Sequence, residues 1–382
     1  MAKHIVISDL IINKLNDSDR RSMINQLNNL EKEGNAIIIV DGKREEYADS
    51  SNSFKMPTES EFMSDFTRIS ESIVFVSGRD DMFETSRYMK SLFICPMWID
   101  DIGENASRYG VQVRTPKQMY QIIKHSNNNN FWHTRKKLKD GTIFYSLLDA
   151  KFRYFSTSSR EDKMIENFES TIYGDETTPF FDILKYDLQS AISNKLEYFD
   201  DIDIWTIFPN SSKELDKNMM ELKKSIEINS GVKLIETDDF SDNLILRHTE
   251  KDRAHDIPLS TRITNGSAIN LETICLNPAF KDHIEGSTIC VIDDFLNHGF
   301  SFEAARNLLK AAGAKQIILL ALGTYTNDYL YKDYEIKGDP FNPNFEFSGP
   351  NYEETILNPR FKINPQAKVE VETLFTVFNS SW

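Results

Sequence analysis

The chain has 382 residues, of which 40% are hydrophobic and 12% aromatic, and its formal net charge is -15 at pH 7. This length is enough for two ordinary domains, each with a core of its own. The acidic balance argues against a broad electrostatic contact with nucleic acid or an anionic membrane. No apolar run approaches the roughly 20 residues of a membrane-spanning helix, and the apolar stretch in MAKHIVISDL is too short for a secretory signal. We therefore expect a cytoplasmic globular protein whose phosphate contacts, if any, are local.

The cysteine pattern indicates neither a disulfide framework nor a zinc site. Cys95, Cys275 and Cys290 are far apart in the sequence and lie near no paired histidines. We expect all three to be buried as small apolar residues.

The first part of the chain alternates apolar strands with amphipathic helices, a pattern typical of a parallel sheet covered on both faces. A helix is expected over 17–34, and strands over HIVISD, AIIIVD, SIVFVSGRD, FICPMWIDD and GVQVRT. Ligands bind at the carboxyl ends of such strands. Four polar side chains stand at those ends: Asp9, Asp41, Ser77 and Asp100.

Residues 125–139 look like a boundary between two domains, because an asparagine run is followed there by a basic cluster. The basic cluster, with Phe131 and Trp132, is compatible with RNA binding, but on an acidic chain it is more typical of a solvated linker. We expect a first domain over 1–124, a second over 140–338, and a C-terminal extension over 339–382.

The second part resumes the strand and helix alternation. A hairpin is expected in TIFYSLLDAKFRYFS and a helix over 178–197; next come the strand IDIWTIFP, a helix over 212–226, and the strands VKLIE and STICVIDD. A helix over 301–313 and the strand QIILLALG follow, and the tail ends in a strand-like KVEVETLFTVF packed on the second domain. The chain is thus expected to be an α/β protein with two open parallel sheets.

The stretch STICVIDDFLNHGFS carries the clearest chemistry. Asp293 and Asp294 follow a buried strand, and a turn around Gly299 leads into a helix near Ser301. A glycine turn at a helix start offers backbone N–H groups and the positive end of the helix dipole to a phosphate. Adjacent carboxylates suit the hydroxyls of a sugar, or Mg²⁺. The pattern predicts a ligand with a sugar in the middle and a phosphate at one end.

The same stretch resembles the signature of the type I phosphoribosyltransferases. The resemblance implies that Asp293 and Asp294 contact the ribose hydroxyls of phosphoribosyl pyrophosphate. It also implies a 5-phosphate loop formed by Asn297, His298, Gly299, Phe300 and Ser301. The family usually has Thr or small residues where Asn297 and His298 stand, so this loop is bulkier than usual.

Two further segments are similar to the competence protein F branch of that family, and the likeness covers about residues 140 to 325. DIWTIFPNSSKELDKNMMELKKSI resembles its strand and pyrophosphate loop, which implies that Pro209, Asn210, Ser211, Ser212 and Lys213 face the pyrophosphate. LRHTEKDRAHDIPLSTRITN resembles its mobile basic loop. The candidates there are Arg247, Lys251, Arg253 and Arg262, and Arg262 with Asn265 matches the branch's Arg-x-x-Asn.

The resemblance implies a reaction as well as a ligand. Asp293, Asp294, Lys213 and Arg253 would take part in catalysis with Mg²⁺. Displacement of pyrophosphate would transfer ribose 5-phosphate to a nitrogenous base or a nucleotide-like acceptor.

The N-terminal part is similar to haloacid dehalogenase superfamily domains. HIVISDLIINKL would be the first motif, with Asp9 as nucleophile, and FICPMWIDDIGENASRYG the closing segment, with Asp100 and Asp101 holding magnesium alongside Asp9. Ile11 stands where phosphatases of the family need a second aspartate, and Lys90 is a candidate for the lysine of the family. We expect a domain without efficient phosphatase activity; a purely structural domain, in which Asp100 and Asp101 cap a helix, is the alternative.

Three functions stay open at this point. The first is a phosphoribosyltransferase fused to a haloacid dehalogenase-like domain, an arrangement that resembles components of bacterial stress-response and phage-defence gene clusters. The second is a sensor that binds phosphoribosyl pyrophosphate or a nucleotide and acts on a protein partner or on a second copy of the chain. The third is a phosphohydrolase centred on Asp9, against which Ile11 counts. Adjacent aspartates after a strand also occur in receiver domains, and Arg247, Arg253 and His298 are compatible with solvated loops.

Overall fold

Five short strands in the first part of the chain form one sheet, and all neighbouring strands run parallel. The computed structural model describes residues 3–43, 47, 53–65, 72–128, 132–150, 159–174, 178–235, 242–253, 256–325, 327–357 and 360–379. The strands are β1 (His4–Ser8), β2 (Ala36–Val40), β3 (Ile73–Val76), β4 (Leu92–Pro96) and β5 (Val111–Val113). Their order is β2-β1-β3-β4-β5, which places the switch point of this doubly wound sheet between β1 and β3. The predicted parallel sheet is confirmed.

Helices connect these strands as the apolar periodicity predicts. They are α1 (Asp9–Asn13), α2 (Asp17–Lys32), α3 (Glu59–Asp65), α4 (Asp80–Tyr88), α5 (Glu104–Tyr109) and α6 (Pro116–Asn128). Helix α2 begins where the Asn16 side chain accepts hydrogen bonds from two backbone N–H groups, and it is followed by Gly34 at φ 97°. Helix α5 has Gly103 as its N-cap residue, so the idea that Asp100 and Asp101 cap this helix is wrong.

The rest of the chain contains a second, mixed sheet and two small antiparallel pairs of strands. The strands of this part are β6 (Thr134–Lys137), β7 (Ile143–Asp149), β8 (Ile204–Ile207), β9 (Ile245–Arg247), β10 (Ile274–Leu276), β11 (Thr288–Leu296), β12 (Gln316–Thr324), β13 (Tyr329–Lys337), β14 (Glu346–Ile356) and β15 (Lys362–Ile363). Six of them pair in the order β15-β6-β7-β12-β11-β8. The four strands from β7 to β8 are parallel, whereas β6 and β15 are antiparallel, so the expectation of a wholly parallel sheet is wrong at this edge.

The helices of the second part are α7 (Ser159–Tyr173), α8 (Pro179–Ser193), α9 (Lys217–Asn229), α10 (Leu259–Leu271), α11 (Phe300–Ala311) and α12 (Gln366–Asn379). Strands β9 and β10 form a small antiparallel pair, and β13 and β14 form another. Among the described helices, none is long and apolar enough to cross a membrane.

Helix α8 ties the two sheets together. Lys185 Nζ donates to the carbonyl oxygen of Gly110 at 3.1 Å, and Gln189 Nε2 donates to that of Tyr109 at 2.9 Å. Apolar residues of α8 share one core with strands of both sheets. The three cysteines are buried and free of disulfides, as expected.

Several local expectations are corrected by the fold. The predicted linker over 125–139 is structured where it is described, since α6 runs through His125 to Asn128 and β6 belongs to the second sheet. The segment 232–235 of the predicted strand VKLIE is not a strand. The tail KVEVETLFTVF is part of helix α12, because its apolar residues pack on α6, α8 and β7 at helical spacing. The second arm of the predicted hairpin, 151–158, lies outside the described residues.

Candidate active site

Two neighbouring parallel strands bring the predicted pyrophosphate loop beside the predicted ribose carboxylates. Ile207 of β8 lies opposite Ile292 of β11, and the backbone N–H of Phe208 donates to the carbonyl oxygen of Ile292 at 2.8 Å. Phe208 and Asp293, the residues that follow Ile207 and Ile292, therefore lie side by side at the carboxyl edge of the sheet, and Pro209 comes directly after Phe208. This is where open α/β sheets bind ligands.

A cleft of about 750 Å³ opens at this edge. Ten residues singled out from the sequence line it: Pro209, Asn210, Ser211, Ser212, Arg247, Lys251, Arg253, Asp293, Asp294 and Ser301. Carboxylates and cations thus share a single cavity. The lining does not include Lys213, Arg262 or the turn residues Asn297, His298, Gly299 and Phe300.

The paired aspartates differ in their surroundings. Burial raises the pKa of Asp293 well above its usual range, and the adjacent Asp294 carboxylate adds to this rise, while Lys251 opposes it. Asp294 Oδ2 accepts a hydrogen bond of 2.5 Å from the hydroxyl of Tyr173, the last residue of α7. Its other oxygen accepts the backbone N–H of Phe295 at 2.5 Å. Asp293 is therefore the carboxyl whose charge a bound cation would stabilise most.

The loop after β8 is held in shape by side chains on both sides. Asn210 Oδ1 accepts the backbone N–H of Ser212 at 2.9 Å and its hydroxyl at 2.7 Å, which is an Asx-type turn. Arg247 donates to the carbonyl oxygens of Pro209, at 3.1 Å, and of Asn210. Arg247 is 5% exposed, and burial lowers its pKa to about 10, an effect that Asp293 opposes. The guanidinium thus belongs to the cleft lining and holds the loop through these carbonyl oxygens.

Lys251 is a second cation of the cleft lining. Its backbone N–H donates to the carbonyl oxygen of Ser211 at 3.1 Å. Burial lowers its pKa to about 8, and Arg247 contributes to that fall. Charge on Asp293 opposes the fall, so the two charges influence each other. Arg253, further along the same segment, is exposed and lines the cleft.

The predicted basic loop is only partly a loop. Arg247 ends β9, whereas Arg262 and Asn265 lie on α10. Lys213 is exposed and contributes, after burial and Arg247, to lowering the pKa of His248. Lys213 thus lies on the outer side of the loop after β8, near His248.

The turn before α11 depends on Gly299. Its φ of 86° lies in the left-handed region, and a Cβ there would lie 2.4 Å from Cε2 of Tyr329. His298 Nδ1 donates to the carbonyl oxygen of Asp328 at 2.9 Å, and Asn297 Oδ1 accepts a hydrogen bond from Asn327 Nδ2. The two bulky residues of this turn therefore fasten it to the segment before β13. Ser301, in the first turn of α11, is the turn residue that reaches the cleft.

Two residues of the cleft lining, Tyr173 and Asp216, were not predicted from the sequence. Tyr173, at the end of α7, contacts Asp294, and no local sequence motif predicts this contact. Asp216 is the N-cap residue of α9, accepting the backbone N–H of Met219 at 3.0 Å. Burial raises the pKa of Asp216, and Asp294 adds to the rise. The helix start after a polar loop was the available signal for Asp216.

The first sheet presents a less convergent set of polar residues. Asp9 accepts hydrogen bonds from Tyr47 Oη and from Asn13 Nδ2, and Asp100 Oδ2 lies 3.4 Å from Lys14 Nζ. Within the described ranges, no group of three His, Cys, Asp or Glu side chains is arranged to hold a metal ion. Asp9, Asp100 and Asp101 therefore do not come together as one ligand set, and magnesium binding there stays a prediction.

The remaining strand-end residues of the first sheet have local roles. Asp41, at φ 62°, accepts the backbone N–H of Glu59 at 2.9 Å, and Ser77 Oγ accepts that of Arg79 at 3.1 Å. Lys90 donates to the carbonyl oxygen of Asp200, in the second part of the chain. These contacts hold loops and the junction between the two parts in place.

No family model, no curated protein and no solved structure matches the chain.

Proposed function

We propose that the chain is a phosphoribosyltransferase that uses phosphoribosyl pyrophosphate in the cleft between β8 and β11. One observation carries this proposal. The acidic pair Asp293 and Asp294, the loop 209–212 and the cations Lys251 and Arg253 line a single cavity. Its volume of about 750 Å³ lies in the ordinary range for small-ligand sites.

Each part of such a ligand meets suitable chemistry in this cleft. Asp293 and Asp294 are acceptors for ribose hydroxyls. The N-terminus of α11, with Ser301 in its first turn, offers backbone N–H groups and a positive dipole end to the 5-phosphate. Lys251 and Arg253 supply positive charge for the pyrophosphate. A sugar with anionic groups at two ends thus matches the charge pattern of the cleft.

The cleft offers carboxylates to Mg²⁺, although no three acidic, histidine or cysteine side chains of the described residues are arranged to hold the ion by themselves. Three carboxylates, those of Asp216, Asp293 and Asp294, line the same cavity. Mg²⁺ in proteins usually takes one or two carboxylates together with phosphate oxygens of the substrate. When bound, the ion would neutralise negative charge on the pyrophosphate.

The protein side chains account for the remaining demands of the reaction. The bond from the anomeric carbon to the pyrophosphate oxygen breaks, and a new bond forms from that carbon to a nitrogen of the acceptor. Lys251 and Arg253 stabilise the charge that develops on the departing pyrophosphate. Arg247 binds the carbonyl oxygens of Pro209 and Asn210, so these acceptors have a cation of their own when that charge develops. We expect the acceptor to be a nitrogenous base or a nucleotide-like molecule.

Calorimetry tests the proposal directly. Phosphoribosyl pyrophosphate with Mg²⁺ is titrated into the full chain, and pyrophosphate release is then measured with a panel of bases. The double variant Asp293→Asn/Asp294→Asn should lose binding, whereas Asp252→Asn, an exposed change in the same loop segment, should keep it. Absence of binding to the unaltered protein, or equal binding by the double variant, would refute the site.

A sensor is the second candidate, and the turn before α11 favours it. Asn297 and His298 hold this turn through their own side chains, and Asp294 is hydrogen-bonded to Tyr173. Such a site is suited to retain a ligand without turnover, and we expect a sensor to signal to a protein partner or a second copy of the chain. Binding without pyrophosphate release for any base in the panel would favour this function over the enzyme.

A phosphohydrolase in the first sheet is the third candidate. Asp9 follows β1 at the switch point of the sheet, where a ligand would bind. Hydrolysis of a generic phosphomonoester that disappears in Asp9→Asn would support it. Ile11 is 1% exposed, and its aliphatic side chain supplies no acid or base.

A further inference from the structure

Tyr173 already holds one of the two carboxylates to which the proposed function assigns the ribose. Its hydroxyl donates to Asp294 Oδ2 at 2.5 Å, a length typical of a charge-assisted O–H···O⁻ bond. Asp294 Oδ1 accepts the backbone N–H of Phe295 at 2.5 Å. Both oxygens of Asp294 therefore have donors from the protein itself. A ligand hydroxyl that takes Oδ2 must displace the phenol or share the oxygen with it.

The helix that carries Tyr173 is fixed, whereas the tyrosine side chain is exposed. Helix α7 buries Met164, Phe168 and Ile172, each 2% exposed, in the core. Beyond its end, the carbonyl oxygen of Gly174 accepts a hydrogen bond of 2.6 Å from Asn218 Nδ2 of α9. Tyr173 itself is 55% exposed. Rotation of this one side chain is therefore enough to release Asp294, with no movement of the helix.

The phenol also has an electrostatic role in the cleft. Asp294 lies beside Asp293 and close enough to Asp216 to raise the pKa of each of these two carboxyls. A hydroxyl donor on Asp294 stabilises its charge when neither a cation nor a sugar hydroxyl is present. The Tyr173 hydroxyl thus stands in for a ribose hydroxyl.

We infer that Tyr173 is a built-in competitor for the ribose position, and that it sets the ligand concentration at which the cleft fills. This inference rests on the proposed function, because it assumes that Asp294 receives a ligand hydroxyl. The tyrosine lowers the affinity of the cleft and keeps the acidic pair satisfied until the ligand displaces it. Regulation of the site is thereby built into one side chain of α7.

The test is calorimetry of phosphoribosyl pyrophosphate with Mg²⁺ on the full chain and on Tyr173→Phe. This variant keeps the ring and removes the hydroxyl, so the dissociation constant should fall by roughly 3- to 10-fold. Tyr198→Phe is the matched control, since Tyr198 is 39% exposed and lies outside the cleft lining; its affinity should equal that of the unaltered protein. Near-ultraviolet difference spectra should show a tyrosine signal on ligand addition that is lost in Tyr173→Phe.

The outcomes separate this inference from the proposed function. Tighter binding by Tyr173→Phe than by the unaltered protein supports the competitor. Binding by the unaltered protein that is equal or weaker in Tyr173→Phe overturns the competitor and leaves the proposed function standing. Absence of binding in both proteins overturns both. Circular dichroism spectra confirm that each variant is folded before the comparison is made.

Discussion

Arg247 donates a hydrogen bond of 3.1 Å to the carbonyl oxygen of Pro209, although the two residues are 38 positions apart in the sequence. The same guanidinium also donates to the carbonyl oxygen of Asn210 and to Thr273 Oγ1. A buried arginine that satisfies backbone carbonyls fixes the shape of the loop that carries them. Arg247 therefore acts on a ligand through the loop after β8.

Loss of Arg247 should cost both stability and binding. Arg247→Ala leaves two loop carbonyls and Thr273 without this donor, and we expect the free energy of unfolding to fall by about 2–4 kcal/mol. Affinity for phosphoribosyl pyrophosphate should fall more than about tenfold. Urea denaturation and calorimetry measure the two effects. Arg253→Ala is the control, since an exposed side chain should change stability by less than about 0.5 kcal/mol while still weakening binding.

Asp293 should be a residue whose charge lowers stability and enables binding. Because its pKa is raised in the folded protein, its ionisation favours unfolding, and this cost is absent below the unfolded pKa of about 4. The cost grows as the pH rises from there toward the raised pKa. Asp293→Asn should therefore increase the free energy of unfolding by about 1 kcal/mol or more at pH 8 and leave it nearly unchanged at pH 4.

Urea denaturation of Asp293→Asn at these two pH values is the measurement, with exposed Asp252→Asn as the control that should show no such difference. Calorimetry should find that the stabilised variant binds phosphoribosyl pyrophosphate and Mg²⁺ far more weakly. A variant that is destabilised at pH 8 would contradict the assignment of a raised pKa.

Gly299 should tolerate no side chain. Gly299→Ala combines a left-handed φ of 86° with a Cβ 2.4 Å from the ring of Tyr329, so we expect the free energy of unfolding to fall by about 2–4 kcal/mol. Gly141→Ala is a matched control, because Gly141 has a φ of 93° but nothing within 4 Å of the added Cβ. Strain alone should cost that variant about 1 kcal/mol. Equal losses in thermal denaturation would show that Tyr329 yields to the new methyl group.

Arg306 should anchor the helix that begins at the turn. It is 0% exposed, and its Nη2 lies 2.6 Å from Glu303 Oε2 while its Nη1 lies 2.6 Å from Asp140 Oδ2. Arg306→Met leaves the buried Glu303 without its cation and should cost about 3–5 kcal/mol in urea denaturation. Lys310→Met, an exposed change on the same helix, should alter stability by less than about 0.5 kcal/mol.

Most elements near the cleft were predictable from local patterns. The C-terminal tail was not, because its pattern is ambiguous between a strand and a helix. Apolar runs such as Ile289 to Ile292 indicate buried strands at any position in the chain. In the tail, Val369, Val371, Phe375 and Val377 fit a strand alternation, whereas Val371, Leu374, Phe375 and Phe378 fit a helical stripe. The tail forms a helix because Val371, Leu374 and Phe378 are then buried in the core that α12 shares with α8. The local sequence does not show that α8 will be its packing partner.

The sequence by itself determined which side chains follow each strand, because a strand end and its turn are local features. The adjacent aspartates of β11, the polar loop after β8 and the glycine turn before α11 were all evident in this way. Only the tertiary structure decided what these groups contact. Arg247 donates to the loop carbonyls, and Tyr173 contacts Asp294 from a helix 121 residues earlier in the chain. Such contacts depend on burial and on long-range packing, and residues far apart in sequence carry no local sign that they will meet.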